Sequence, residues 1–187
     1  MANPEQVRLD SDAKAALRAK YLLERDKRLR SDGNNQYVEI KQNFEQFLTD
    51  PHTPVTERTP VTDHVTFTFI GGGFAGLVTG ARLKEQGITD VRIVEKGGDF
   101  GGTWYWNRYP GARCDSESYI YCFAFDQDLM QEWEWSGKYP EQPEILNYLN
   151  HVADRFDLRR NMSFETRVTS AHFDESTNRW DVKTDKG

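Results

Sequence analysis

The sequence has little cysteine, no long apolar run and no excess of positive charge. Its 187 residues include two cysteines, Cys114 and Cys122, which are too few for a disulfide scaffold and lack the spacing of a zinc site. No apolar segment approaches the roughly 20 residues of a membrane-spanning helix, and the polar first ten residues do not resemble a signal peptide. The 30 acidic residues outnumber the 24 basic ones, which disfavours nucleic-acid binding. We therefore expect a cytoplasmic protein without a metal site, a membrane segment or a nucleic-acid partner.

Aromatic residues are scarce at the start of the chain. Four of the 24 lie within residues 1–64, so we expect the core to lie after that point. Residues 1–50 are predicted to form a helical extension, with a helix over Asp12–Leu29 and Ser11 as its N-cap. The segment 51–64 contains three prolines and four threonines without a periodic pattern, which indicates an extended linker or strap.

Residues 65–187 begin with the pattern of a β-α-β unit. Val65–Ile70 is a short apolar run that predicts a buried strand. Leu77–Gln86 predicts a helix, and Val91–Val94 predicts a second strand. Such a unit has a right-handed crossover and a parallel sheet.

The later part of the chain predicts a helix and several short strands. Tyr119–Phe125 is apolar on both faces, so we expect it to run extended through the interior. Pro143 is expected to begin a helix whose apolar stripe reaches Phe156. Three short strands are predicted at Phe164–Val168, Ala171–Phe173 and Trp180–Thr184, and the turn between the last two at Asp174–Asn178. The fold class is therefore α/β, a Rossmann-like β-α-β unit with a small antiparallel β-meander. Because the sequence ends in a turn, we expect an N-terminal piece that is incomplete as an isolated chain.

Four histidines have no catalytic or metal-ligand spacing. We expect them at the surface or in the linker; they are His52, His64, His151 and His172.

A glycine-rich turn follows the first predicted strand. Residues 71–76 read Gly-Gly-Gly-Phe-Ala-Gly, a GxGxxG run between a strand and a helix. Gly71 permits a tight turn, Gly73 lets the backbone approach a diphosphate, and Gly76 allows close packing of helix on strand. Phe74 and Ala75 complete the run, where the helix N-terminus offers free N–H groups and the positive end of its dipole. The run therefore predicts a dinucleotide site.

Glu95 follows the second strand, 24 residues after Gly71. Its carboxylate can accept hydrogen bonds from both hydroxyls of an adenosine ribose and would repel a 2′-phosphate, which disfavours NADP at this site. FAD and NAD both satisfy this geometry. The further glycine pairs and aromatic residues in 97–106 (GGDFGGTWYW) favour FAD, whose length and flat ring system require close backbone approach and stacking surface. Ordinary core packing remains the alternative for Trp104 and Trp106.

Residues 101–115, Gly-Gly-Thr-Trp-Tyr-Trp-Asn-Arg-Tyr-Pro-Gly-Ala-Arg-Cys-Asp, resemble the type I Baeyer–Villiger monooxygenases, which are class B flavoprotein monooxygenases. The resemblance extends from about Phe69 to Gly187 and includes the QPEIL run at 142–146. It implies that NADPH reduces FAD and that O₂ adds to give a C4a-peroxyflavin, which converts a ketone to an ester or lactone. The NADPH site would lie mostly outside this chain.

The resemblance also implies roles for individual residues. Asp115 would be the catalytic residue, orienting an arginine outside this chain that stabilises the negative peroxide. Arg113, Cys114 and Asp115 would lie where flavin and nicotinamide meet. Thr103, Trp104 and Trp106 would line the flavin, and Tyr121 would contact it further along. The other implied cofactor-binding residues are Gly102 and Val168, in addition to Glu95 and the glycine run.

Other functions stay open at this point. N- or S-oxygenating flavin monooxygenases share the β-α-β site but lack the run at 101–115. Disulfide reductases require a redox pair such as CxxxxC, whereas seven residues separate Cys114 from Cys122. A truncated, non-catalytic flavin-binding module also remains, because no second GxGxxG for NADPH and no FxGxxxHxxxW motif are present.

Overall fold

The computed structural model describes residues 10–38 and 42–187. The chain divides into two compact units between Thr49 and Asp50. The segment 51–64, expected to be a linker or strap, belongs to the second unit. It contacts that unit through the side chain of Arg58, which donates to Thr166 Oγ1 at 2.6 Å, and through the ion pair of Asp63 with Arg92.

The first unit contains helix α1, which covers Ser11–Asp26. Its N-cap is Asp10, whose carboxylate accepts the N–H of Ala13 at 2.7 Å, so Ser11 is the first helical residue and not the cap. The helix ends before the predicted Leu29, at a turn where the N–H of Arg28 donates to the carbonyl of Arg25, three residues back. Two short 3₁₀ segments follow, at Gly33–Gln36 and Gln42–Phe47.

The second unit is built on a parallel sheet of three strands in the order β1-β2-β3. The strands are β1 (Phe67–Ile70), β2 (Val91–Val94) and β3 (Met162–Ser163). Helix α2, Phe74–Glu85, connects β1 and β2 and begins three residues before the predicted start. The α/β fold class with a β-α-β unit is therefore confirmed. Strand β3 is too short to produce an alternating pattern and was not predicted.

Strand β1 is not buried as predicted. Phe67 and Ile70 are 37% and 57% exposed, whereas Ile93 of β2 is fully buried. The reason is topological, because β2 has a strand on each side and β1, among the described residues, has one neighbour only.

Four helices pack around this sheet or follow it. After α2 they are α3 (Thr103–Trp106), α4 (Gln127–Glu132) and α5 (Gln142–Arg155). The predicted stripe of α5 is confirmed, since Ile145, Leu149 and Val152 are fully buried and lie in the same core cluster as Leu77 of α2. Burying each of these side chains contributes about 1.5–3 kcal/mol.

The segment Tyr119–Phe125 does not run extended through the interior. Its backbone turns, with the N–H groups of Ile120 and Tyr121 both donating to the carbonyl of Glu117. Tyr119 is 68% exposed, and of the segment only Phe123 is buried. An alternation of aromatic residues is therefore also compatible with a turn in which one ring is buried and another is exposed.

The antiparallel part of the fold is a hairpin of two strands. Strand β4 covers Val168–Asp174 and β5 covers Arg179–Thr184. The predicted first strand of the meander is absent here because Glu165 and Thr166 donate their N–H groups to the carbonyls of Gly97 and Glu95, at 2.9 Å each. Residues 164–167 therefore follow the loop after β2.

Two further observations concern the position of His151 and the search for a membrane-spanning helix. The side chain of His151 is 38% exposed, and its ring centroid lies 5.4 Å from that of Trp133, so this histidine lies at the surface but packs against an aromatic ring. Within the residues described, no helix combines the length and the apolar character needed to cross a membrane.

Candidate cofactor-binding site

The turn between β1 and α2 brings two backbone segments into unusually close contact. Gly71 has φ +107° and open space around it, a conformation that favours glycine. At Gly76, an added Cβ would lie 2.1 Å from the carbonyl oxygen of Gly71, so no side chain fits. The turn therefore has the tight geometry that the glycine spacing predicts.

A second glycine turn faces the first. The N–H of Gly101 donates to the carbonyl of Gly72 at 3.0 Å, and an added Cβ on Gly73 would lie 3.5 Å from the Cα of Gly102. Gly73 is the N-cap of α2 and provides no side-chain cap. The first N–H groups of this 12-residue helix therefore remain available to an anion. They begin at Phe74 and Ala75.

Glu95 occupies the end of β2 and is only 5% exposed. Its Oε2 accepts the N–H of Gly72 and its Oε1 accepts the N–H of Gly97, both at 2.7 Å. These bonds fix the plane of the carboxylate and leave a further lone pair on each oxygen. The side chain can therefore accept two more hydrogen bonds from a ligand.

A cavity of about 250 Å³ lies beside Glu95. It brings together four of the residues predicted to bind the cofactor, Gly71, Glu95, Trp106 and Val168. The complete lining is Ile70, Gly71, Val94, Glu95, Lys96, Trp106, Thr166, Arg167 and Val168. Lys96 places its ammonium group 4.6 Å from the centroid of the Trp106 ring, an attractive cation–π geometry.

The two tryptophans of α3 have different surroundings. Trp106 lines the cavity, whereas Trp104 is buried and donates its indole N–H to the hydroxyl of Tyr121 at 3.0 Å. Phe74 packs edge-on against Tyr121, with ring centroids 4.9 Å apart. Phe74, Trp104 and Tyr121 thus form one aromatic group at the N-terminus of α2. Core packing, the alternative that the sequence left open for both tryptophans, is what the structure shows for Trp104.

Arg113 and Cys114 lie against the residues that precede α5, and residues 113–115 do not line the cavity beside Glu95. Arg113 forms an ion pair with Glu141. Cys114 is buried, and its N–H donates to the carbonyl of Pro140 at 3.0 Å. Asp115 is exposed, as is Thr103 at the start of α3.

Four residues form a network that the sequence did not reveal. Asp50 Oδ2 accepts the hydroxyl of Tyr105 at 2.5 Å and the N–H of Gly98 at 2.8 Å. Thr53 Oγ1 lies 2.7 Å from the same hydroxyl. Nothing in the sequence pairs an acidic residue with a tyrosine 55 positions later. We call Asp50, Thr53, Gly98 and Tyr105 the Asp50 network.

The network shifts the pKa of both acidic groups in it. Burial opposes ionisation of Asp50, but hydrogen bonds from the Tyr105 hydroxyl and from the backbone of His52 and Gly98 outweigh it, so the pKa of the carboxyl is lowered. Burial raises the pKa of the Tyr105 phenol, and the hydrogen bond to Asp50 raises it further. At neutral pH the pair is therefore a carboxylate that accepts from a neutral phenol.

Known proteins with similar sequences include several Baeyer–Villiger monooxygenases. Residues 70–133 match the NAD(P)-binding Rossmann-like domain. A Baeyer–Villiger monooxygenase of Streptomyces coelicolor is 44% identical over 180 residues, which cover 95% of this chain and 29% of that protein. A methyl acetate-forming acetone monooxygenase of Gordonia sp. (strain TY-5) is 56% identical over 118 residues, 63% of this chain and 22% of that protein.

Solved structures show the same similarity. A steroid monooxygenase in its oxidised form, bound to NADP, has 57% identity and a TM-score of 0.64 over 66% of this chain and 23% of its own. OTEMO in complex with FAD and NADP has 40% identity and a TM-score of 0.62 over 70% of this chain and 24% of its own. The chain thus spans less than a third of the length of these relatives. Together with the glycine turn and the run at 101–115, these similarities show that the chain belongs to the Baeyer–Villiger monooxygenase family.

Proposed function

We propose that this chain forms the FAD-binding part of an NADPH- and O₂-dependent monooxygenase that converts ketones to esters or lactones. The observation that carries the proposal is the buried Glu95 carboxylate, which two backbone N–H groups hold at the edge of a cavity. Family membership supports the reaction class, and the acetone monooxygenase among the relatives supports a ketone as substrate. A cytoplasmic location is part of the proposal, supported by the free thiols of Cys114 and Cys122.

The described residues fit FAD by their chemistry. The N-terminus of α2, reached across Gly71 and Gly73, would hold the diphosphate. Glu95 would accept the two ribose hydroxyls, and its charge would repel a 2′-phosphate, so NADPH must bind elsewhere. Trp106 and Val168 would contact FAD from the cavity wall. When bound, FAD supplies the redox chemistry.

We propose a separate role for Asp115, one that follows from the family resemblance. Its carboxylate is exposed and so is accessible to a cationic side chain. By holding that cation near the reacting oxygen atoms, Asp115 would stabilise negative charge that develops there. It would act as a positioning residue, with Arg113 and Cys114 as its neighbours near flavin and nicotinamide.

The Glu95→Gln variant tests the flavin assignment. Glutamine keeps the size of the side chain but presents an NH₂ group to one of the two backbone donors, and it removes the charge that a ribose hydroxyl would meet. We expect the Kd for FAD to rise about 10- to 100-fold, as for the loss of charge-assisted hydrogen bonds. Fluorescence titration of the flavin-free protein with FAD measures the change.

The matched control is Glu85→Gln, because Glu85 lies at the exposed end of α2 and pairs only with Arg82 among the described residues. Its Kd for FAD should equal that of the wild type. Retention of full flavin absorbance by Glu95→Gln after extensive dialysis would contradict the ribose assignment. A protein that binds FAD yet forms no ester from any ketone tested with NADPH would be a non-catalytic flavin-binding module.

A further inference from the structure

The loop after β2 is held on two sides by different parts of the chain. On one side, Gly97 donates its N–H to Glu95 Oε1 at 2.7 Å. On the other side, Gly98 donates its N–H to Asp50 Oδ2 at 2.8 Å. Two consecutive peptide groups therefore connect the carboxylate of Asp50 to the carboxylate of Glu95.

The fit around Gly98 shows that the segment containing Asp50 is seated closely on this loop. An added Cβ on Gly98 would lie 2.4–2.5 Å from three atoms of the Thr53 side chain. The ring of His52 meets that of Tyr105 edge-on, with centroids 5.6 Å apart. Residues 52 and 53 therefore cover both the glycine and the tyrosine.

Tyr105 connects the network to the cavity wall. It is buried on α3, and its hydroxyl contacts Asp50, Thr53 and the N–H of Gly98. An added Cβ on Gly97 would lie 3.0–3.1 Å from the rings of Tyr105 and Trp106. A shift of Tyr105 would therefore move both the loop and the neighbouring Trp106.

We propose that Asp50 is a positioning residue for flavin binding, which holds Gly98 and Tyr105 so that the N–H of Gly97 fixes Glu95 in its ribose-binding orientation. The inference rests on the proposed function, since it concerns the affinity for FAD. It adds a residue outside the glycine motif to the set that determines this affinity. Asp50 itself does not touch the ligand.

The test compares two aspartate-to-asparagine variants in the protein that carries this chain. Asp50→Asn removes the charge that accepts from Gly98 and Tyr105, and we expect the Kd for FAD to rise about tenfold. Asp63→Asn is the matched control, because the hydrogen-bond partner of the Asp63 carboxylate among the described residues is Arg92 on β2 and not the loop after β2. Its Kd should stay within about twofold of the wild type, the usual range for a surface ion pair. Tyr105→Phe, which removes only the hydroxyl, should weaken FAD binding in the same direction.

A double-mutant cycle separates positioning from general destabilisation. If Asp50 acts through Glu95, the double variant should raise the Kd for FAD by less than the product of the two increases caused by Asp50→Asn and Glu95→Gln alone. A purely structural role would lower the melting temperature of all variants yet leave the two effects on Kd independent. Wild-type affinity in both Asp50→Asn and Tyr105→Phe, or fully independent effects, would overturn the inference while the wild type still binds FAD. A wild type without affinity for FAD would overturn the proposed function as well.

Discussion

Replacing Gly76 by alanine is the most direct test of the helix–strand contact on which the site is built. The added Cβ would lie 2.1 Å from the Gly71 carbonyl oxygen and 3.5 Å from Cγ2 of Ile93. To reach 3.0 Å, the lower limit of real Cβ contacts, the oxygen and the helix must move apart by about 0.9 Å. The carbonyl oxygen belongs to the backbone and the added Cβ is fixed to the backbone of α2, so neither atom can move by a change of rotamer.

The size of the effect follows from two opposing contributions. Alanine is favoured over glycine within a helix by about 1 kcal/mol. Overpacking in a core costs about 1–3 kcal/mol or more, and contact with an immobile carbonyl belongs at the upper end of that range. We expect a net loss of about 2 kcal/mol in the free energy of unfolding. The Kd for FAD should also rise, because the displacement separates the α2 N-terminus from the Gly71 turn.

Chemical denaturation and flavin titration measure the two effects, with Gly137→Ala as the matched control. Gly137 has open space around an added Cβ, and its φ is not positive. Alanine there should leave stability unchanged or raise it by up to about 1 kcal/mol, by restricting the unfolded chain. If Gly76→Ala were as stable as the wild type and bound FAD equally well, the close contact would not exist in solution.

Two further substitutions test the proposed positioning residue and the core. Asp115→Asn should lower the rate of ester formation from a ketone by about 100-fold while FAD stays bound. The amount of ester formed per NADPH oxidised should fall as well, and an unchanged amount would contradict the positioning role of Asp115. Tyr148→Phe removes the hydroxyl that accepts the N–H of Phe123 at 2.8 Å and should cost about 1–3 kcal/mol, unlike Tyr119→Phe at an exposed ring. Burial raises the pKa of Tyr148 to about 12, so the stability that its neutral form provides is complete below the unfolded pKa of about 10 and is lost as pH rises to about 12. Alkaline titration by ultraviolet absorbance should show late-titrating phenols, because the pKa of Tyr105 is raised as well; one of them should be missing in Tyr148→Phe.

The β-α-β unit was predictable because its signals are local. The glycine run at 71–76 predicts where the backbone must turn and where no side chain fits. The turn occurs at Gly71, and the position without room for a side chain is Gly76. The stripe of α5 was predictable for a similar reason, since its period of 3.6 residues is visible within one helix. In each case neighbours in sequence are also neighbours in space.

The features that were missed depend on contacts between distant residues. The exposure of Ile70 follows from the place of β1, which has one strand neighbour in the part of the chain that the structure describes; no property of residues 65–70 reveals this place. The irregular path of 164–167 depends on Gly97 and Glu95, whose carbonyls accept the N–H groups of residues 165 and 166, respectively. The segment Tyr119–Phe125 turns through local bonds to Glu117 but also has a distant partner, since the N–H of Phe123 donates to the hydroxyl of Tyr148. Only tertiary structure determines which hydrogen bonds a short apolar segment makes.

Glu95 contacts both the glycine motif at 71–76 and the loop after β2, and its geometry explains why both are needed. A carboxylate with one fixed oxygen could still rotate, but Gly72 holds Oε2 and Gly97 holds Oε1, so its plane is set from both sides. The position of Gly72 comes from the glycine motif, whereas that of Gly97 depends on its neighbour Gly98 and thus on Asp50. Because the carboxylate is oriented before a ligand arrives, binding need not spend free energy on ordering it. A site of this kind loses affinity when either support is removed, even though only the glycine motif can be recognised in the sequence.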